Sequence, residues 1–188
     1  MVGQAFLSLA TAFGLSTSAG LNAYIPLLVL ALLARFTPLV TLNEPWDALS
    51  SWWVIGTLAV LLVVEILVDK IPAVDTVNDV IQTFIRPAAG AILFATTTNA
   101  IGLHPVLAAI CGIILAGGVH VVKAGGRPVV TATTAGVGNP IVSAIEDTVS
   151  FVASVLAIVA PYLVVALTVI TLALFTWWYV RRRWQRAS

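Results

Sequence analysis

The chain has 188 residues, of which 60% are hydrophobic and only 9% charged, and its mean hydropathy is +1.07. A soluble domain carries about 25% charged residues, so this composition excludes a water-facing globular surface. Nine Lys and Arg against eight Asp and Glu leave a net charge of +1, which excludes a strongly basic nucleic-acid binder. Residues 1–34, 48–64, 87–122, 128–145 and 148–180 contain no Asp, Glu, Lys or Arg. Uncharged stretches of that length predict an all-α, polytopic membrane helix bundle with lipid as its surroundings.

A helix needs about 20 apolar residues to cross about 30 Å of hydrocarbon. Six segments fit that requirement, at about 5–34, 50–69, 87–103, 105–123, 139–159 and 161–180. Residues 1–4 lack the basic residues of a secretory signal, so the first apolar segment is read as retained structure. It is too long for one straight span, and its weak centre, 14–22, predicts two half-helices meeting at an unwound stretch. Such backbone is tolerated at membrane depth only where protein or a wet cavity satisfies it. Between the second and third spans, Asp75 as N-cap and the apolar Val77, Val80, Ile81, Phe84 and Ile85 predict a separate amphipathic helix. Gly117-Gly118 and Gly125-Gly126 around Lys123 predict a flexible turn after the fourth span. Cys111, in an apolar run, reads as a buried small hydrophobe.

Six crossings place Lys70, Arg86, Lys123, Arg127 and the C-terminal arginines on one side, with Arg35 alone on the other. Cytoplasmic loops carry an excess of Lys and Arg, so both termini are expected to be cytoplasmic. Trp52-Trp53 and Trp177, Trp178, Tyr179 and Trp184 read as interfacial anchors. No stretch is left for a separate soluble domain, and residues 1–188 form a single integral membrane domain.

An ionisable group at membrane depth costs about 2.5–3.5 kcal/mol on insertion scales and is by default a functional candidate. The polar residues cluster in three motifs: 17–26, uncharged and carrying Asn22 and Tyr24; 65–87, carrying Glu65, Asp69, Asp75 and Asp79; and 133–147, carrying Thr134, Asn139, Glu146 and Asp147. Glu65 and Asp69, four apart, share a helix face, and the acids of this motif read as a line of carboxylates along a cation or proton path. The competing account has Asp75 capping while Lys70 and Arg86 pair with Asp69 and Asp79. Thr17-Ser18-Ala19-Gly20-Leu21 parallels Thr133-Thr134-Ala135-Gly136-Val137, each followed by an Asn and a Pro. The parallel suggests broken helices in corresponding places of two halves, as in inverted-repeat transporters; tight packing through small residues accounts for it equally. His120 reads as a satisfied core histidine or a proton relay, and neither His104 nor His120 has partners at zinc-ligand spacing. No nucleophile–base, Walker or dinucleotide pattern is present, so no enzyme activity and no cofactor are expected.

The blocks 18–27, 68–75 with 85–91, and 135–140 with Glu146-Asp147 resemble those of a bacterial integral-membrane family catalogued as a domain of unknown function, DUF4126. The resemblance covers almost the whole chain and implies a multi-pass inner-membrane protein, with no established activity attached. The residues themselves point to a small transporter or channel for an ion or small polar solute, with Asn22, Tyr24, Thr134 and Asn139 lining the pathway. In that reading Glu65, Asp69 and Glu146 couple a cation or proton, and Asp75 and Asp79 form a cytoplasmic gate. A chain this thin barely encloses a pathway, which favours a homodimer. The alternative is a non-transporting scaffold or lipid-interacting protein.

Overall fold

A computed structural model describes the backbone of residues 2–69 and 72–187; the side chains of 72–77, 79 and several positions from 164 onward are not described. Seven α-helices run in chain order: α1 (Val2–Leu21), α2 (Tyr24–Phe36), α3 (Trp52–Val68), α4 (Pro72–Thr98), α5 (Pro105–Thr134), α6 (Asn139–Val159) and α7 (Pro161–Ala187). Short 3-10 turns at Trp46–Ser50 and Asn99–Ile101 complete the described structure, an all-α bundle. Among the described residues, three stretches are long and apolar enough to cross a membrane: Val80–Ile101, Pro105–Thr134 and Asn139–Val159. Large apolar side chains such as Val60, Val64, Ile110, Ile114, Ile141 and Phe151 face outward, which is the inverse of a soluble surface and suits hydrocarbon.

The core forms around the second half of α1, where Ala12, Leu15, Ser16, Ser18, Ala19 and Gly20 are buried. Small residues on this helix let its neighbours approach closely. A Cβ on Gly20 would lie 2.5 Å from the Ala116 carbonyl oxygen of α5. Likewise Gly112 of α5 sits against the Gly90 backbone of α4, with no room for a methyl group. Cross-helix contacts fix the directions. Ser16 Oγ donates to the Gly90 carbonyl (3.0 Å), Ser150 Oγ to that of Ser18 (3.1 Å) and Thr11 Oγ1 to that of Ala157 (2.8 Å). Thus α4 and α6 run antiparallel to α1, while α5 runs parallel to it.

Several expectations are revised. The first apolar segment is a tight antiparallel helical hairpin, not one broken span: Gly14–Gly20 stays helical and the chain reverses at Asn22-Ala23. The reason is Asn22, whose Oδ1 accepts from Tyr24 N (3.0 Å) and Ile25 N (3.1 Å) and so caps α2. The amphipathic helix and third span are one helix, α4, continuous through Pro87. The glycine-rich turn after the fourth span is helical, because α5 continues through Pro128 to Thr134 and is held by its buried Lys123 and Arg127. Cys111 is exposed on α5.

The second reversal, between α5 and α6, uses Ala135 and Gly136 with positive φ (51° and 85°). Both Asn-containing motifs therefore form helix-to-helix turns, and because α1 and α5 are parallel, both turns point to the same end of the bundle. That arrangement is parallel, not inverted. Phe6 stacks on Tyr162 (5.8 Å between centroids), so the start of α1 lies at the end where α7 begins. We refer to the Asn22 end and the Trp52 end of the bundle.

Candidate functional site: a buried charge cluster at the Asn22 end

The buried face of α5 reads Ala108, Gly112, Ala116, His120, Lys123, Arg127. Spacings of three and four keep these on one side of the helix, so the stripe that packs through small residues toward the Trp52 end turns cationic toward the Asn22 end. On α4 the equivalent face brings Gln82 and Arg86 inward, both buried. Carboxylates arrive from α3 and its C-cap (Glu65 and Asp69) and from α6 (Glu146 and Asp147).

Arg86 is the centre of one half. Its Nη2 donates to Glu65 Oε1 at 3.1 Å, with both side chains essentially inaccessible (0% and 1%). Its Nη1 lies 3.0 Å from His120 Nδ1, and His120 Nε2 lies 3.0 Å from Thr83 Oγ1. A guanidinium has no acceptor, so Nδ1 carries the lone pair and Nε2 the proton: His120 is the neutral Nε2–H tautomer donating to Thr83. Tyr24, buried on α2, lies against Gln82 and close to Glu65.

Lys123 and Arg127 organise the other half. Glu146 Oε2 accepts from Lys123 Nζ (2.9 Å) and Arg127 Nη2 (3.1 Å), and Arg127 Nη2 is also 3.8 Å from Asp69 Oδ2. Asp69 further accepts from Asn78 Nδ2 and Ser143 Oγ, each at 2.9 Å. Lys123 Nζ donates to the Leu21 carbonyl (2.8 Å), placing a cation at the C-terminus of α1. Asn22, having capped α2 with its oxygen, donates its Nδ2 to Asp147 Oδ1 at 2.9 Å. The α1–α2 turn is thereby locked into the charge cluster. Asn22→Ala removes both roles, and we expect a loss of about 2 kcal/mol, read by denaturation of the purified protein in detergent.

Four carboxylates and three cations meet here, one negative charge in excess among the described side chains. Glu65 Oε2, Gln82 Oε1 and the Arg86 Nε are buried and have no hydrogen-bond partner among the described residues. In native proteins such atoms are few, and three on adjoining side chains concentrate at this one place.

Of the residues singled out from the sequence, Asn22, Tyr24, Glu65, Asp69 and Glu146 converge here. Asn139 is buried but sits at the margin, sharing hydrogen bonds with Thr131, whose hydroxyl also reaches the Arg127 carbonyl. Eight residues separate it from Asp147 on α6, about 12 Å along the axis. Thr134 is exposed, bonded to Val130 O and Gly138 N, and forms part of the turn instead of the cluster. The side chains of Asp75 and Asp79 lie outside the described residues.

The cationic half was misplaced in the sequence reading: Arg86, Lys123 and Arg127 are buried ion-pair partners, not loop charges, and Arg86 pairs with Glu65. The i, i+3, i+7 spacing of His120, Lys123 and Arg127 is the signal that could have found the two on α5.

A family model described as Domain of unknown function (DUF4126) matches residues 9–182, and the chain belongs to that family. No curated protein and no solved structure matches it.

Proposed function

We propose that this DUF4126 protein is a small transporter or channel in which the charge cluster couples movement of an ion or small polar solute to a proton or cation. The observation that carries the reading is the interlocked set of seven charged side chains from α4, α5, α6 and the C-terminal end of α3, which among the described residues holds one carboxylate in excess and leaves a Glu65 oxygen without a donor. Ionisable groups at membrane depth are retained for ion pathways, proton relays and solute contacts. A set built only for stability has no need of a spare acid or of orphaned polar atoms, since apolar replacements of a buried pair often stabilise. Glu65, Asp69, Glu146 and Asp147 are the groups that would take up a proton or cation. Arg86, Lys123 and Arg127 would exchange partners among them as the pathway opens, with Asn22 and Tyr24 at the α1–α2 turn.

Placement in a bacterial inner membrane as a homodimer is part of this proposal, and so is a cytoplasmic Asn22 end. The exposed Arg181 and Arg182 support a cytoplasmic end for α7 through the excess of cations in cytoplasmic segments. In that arrangement α1 begins on the opposite face.

A scaffold role is the second reading, favoured by one observation: each of the four acids of the cluster accepts at least one hydrogen bond. Reconstitution in liposomes separates the two. The transport reading expects wild-type protein to dissipate an imposed proton or sodium gradient, and Asp69→Asn and Glu146→Gln to slow it about tenfold or more while remaining folded. Flux equal to protein-free liposomes supports the scaffold.

A further inference from the structure

A groove of about 400 Å³ lies on the flank of the bundle where α2, α3 and α6 meet. That volume falls within the range of small-molecule sites, about 300–1,000 Å³. Its walls are apolar, formed by Ile25, Val29 and Leu32 of α2, Leu62 of α3 and Phe151 of α6, and the ionisable residue among them is Asp147. Phe151 is exposed, so the groove opens sideways, toward hydrocarbon. Both α2 and α6 run antiparallel to α1, and the Asn22–Asp147 hydrogen bond places the carboxylate beside the start of α2. The groove therefore has one polar end, and from Ile25 to Leu32 its apolar wall follows two turns of α2, about 10 Å.

The charge balance of the cluster supplies the second observation. Arg86 is paired with Glu65, Lys123 with Glu146, and Arg127 with Glu146 and Asp69. Asp147 has no ion pair among the described residues: it accepts a hydrogen bond from the neutral Asn22 amide and is half-buried. The carboxylate in excess is thus the one that lines the groove. Its depth matters as well. The 21 residues of α6 match a hydrocarbon thickness of about 30 Å, and Asp147 lies about 12 Å along that helix, below the headgroups. An ionised carboxylate at such a place calls for a cation.

We infer that this groove is a binding site for a single-chain organic monocation, an alkylammonium whose head pairs with Asp147 and whose tail lies along α2 toward Leu32. A metal ion would have to exchange its water shell for one carboxylate and apolar walls, at a high desolvation cost. A neutral or anionic amphiphile would leave Asp147 without a counter-charge, and the amine of a phospholipid sits in the headgroup layer above it. A cation held here needs no pathway through the protein, so the site stands whether or not the charge cluster serves transport.

The test uses full-length protein in phosphatidylcholine nanodiscs and an octylammonium probe carrying an aliphatic diazirine in its tail, with photolabelled peptides identified by mass spectrometry. The expected result is saturable labelling of the α2 and α6 peptides that border the groove. Excess octylammonium should reduce it about fivefold or more, and octanol, octanesulfonate or methylammonium less than about twofold. Asp147→Asn keeps an oxygen for the Asn22 amide and should weaken binding about tenfold or more. Leu32→Trp fills the tail end with the carboxylate intact and should weaken it to a similar degree. Helical circular dichroism equal to that of the wild type establishes that a variant is folded, and either folded variant suffices. Labelling that does not saturate, that octanol competes as well as octylammonium does, or that a folded variant retains in full overturns the proposal. Loss of labelling when phosphatidylethanolamine replaces part of the phosphatidylcholine also overturns it, by assigning the groove to a lipid headgroup.

Discussion

Arg86→Met alone should destabilise the protein by about 3–5 kcal/mol, whereas Glu65→Leu with Arg86→Met should restore most of that loss. The single change strands the Glu65 carboxylate, which is 2% exposed and has Arg86 as its hydrogen-bond donor among the described residues. It also takes the donor from His120 Nδ1, a smaller loss of about 1 kcal/mol. Removing both charges eliminates the desolvation cost together with the attraction, and leucine and methionine fill comparable volume. Unfolding in detergent, followed by loss of helical circular dichroism, measures both variants. If the double variant is as unstable as the single, the pair stabilises the fold in its own right and the argument for a functional role weakens.

Gly112→Ala is the second large effect, an expected loss of about 3 kcal/mol despite the better helix propensity of alanine. Its methyl group would overlap the Gly90 carbonyl, a backbone atom that yields only if α4 and α5 separate. Those helices share the Arg86–His120 and Thr83–His120 hydrogen bonds at 3.0 Å, so separation loosens the cluster as well. Gly118→Ala and Gly125→Ala, on the same helix, meet nothing within 4 Å and should instead stabilise by about 0.5–1 kcal/mol. The opposite signs are the check, because propensity alone makes all three changes favourable.

The helical class and the α6 boundaries were legible because hydropathy and the Asn139-Pro140 start report directly on local structure. Helix continuity was not. Pro87 and the paired glycines near Lys123 are local breakers, and tertiary contacts override them: Gly90 and Gly112 lock α4 to α5, and Lys123 and Arg127 tie α5 to Glu146. The reversal at Asn22 was legible as a weak point but not as a hairpin, since what decides its geometry is one side chain that caps α2 and reaches across to Asp147. For the cluster, the acids stood out because they interrupt apolar sequence. Their partners did not, because Arg86, Lys123 and Arg127 sit beside apparent turns and read as loop cations until the long helices carry them inward.

The central claim is that the buried charges serve movement of an ion or solute more than they serve stability, and Glu65→Leu with Arg86→Met tests it most directly. Wild-type and double-variant protein are reconstituted at equal density in liposomes loaded with a pH-sensitive dye, and the decay of imposed proton and sodium gradients is followed. The account predicts rapid decay with wild-type protein and decay at the protein-free rate with the double variant, both showing the same unfolding midpoint within a few degrees. Wild-type decay no faster than that of protein-free liposomes, or full flux in the double variant, would contradict it.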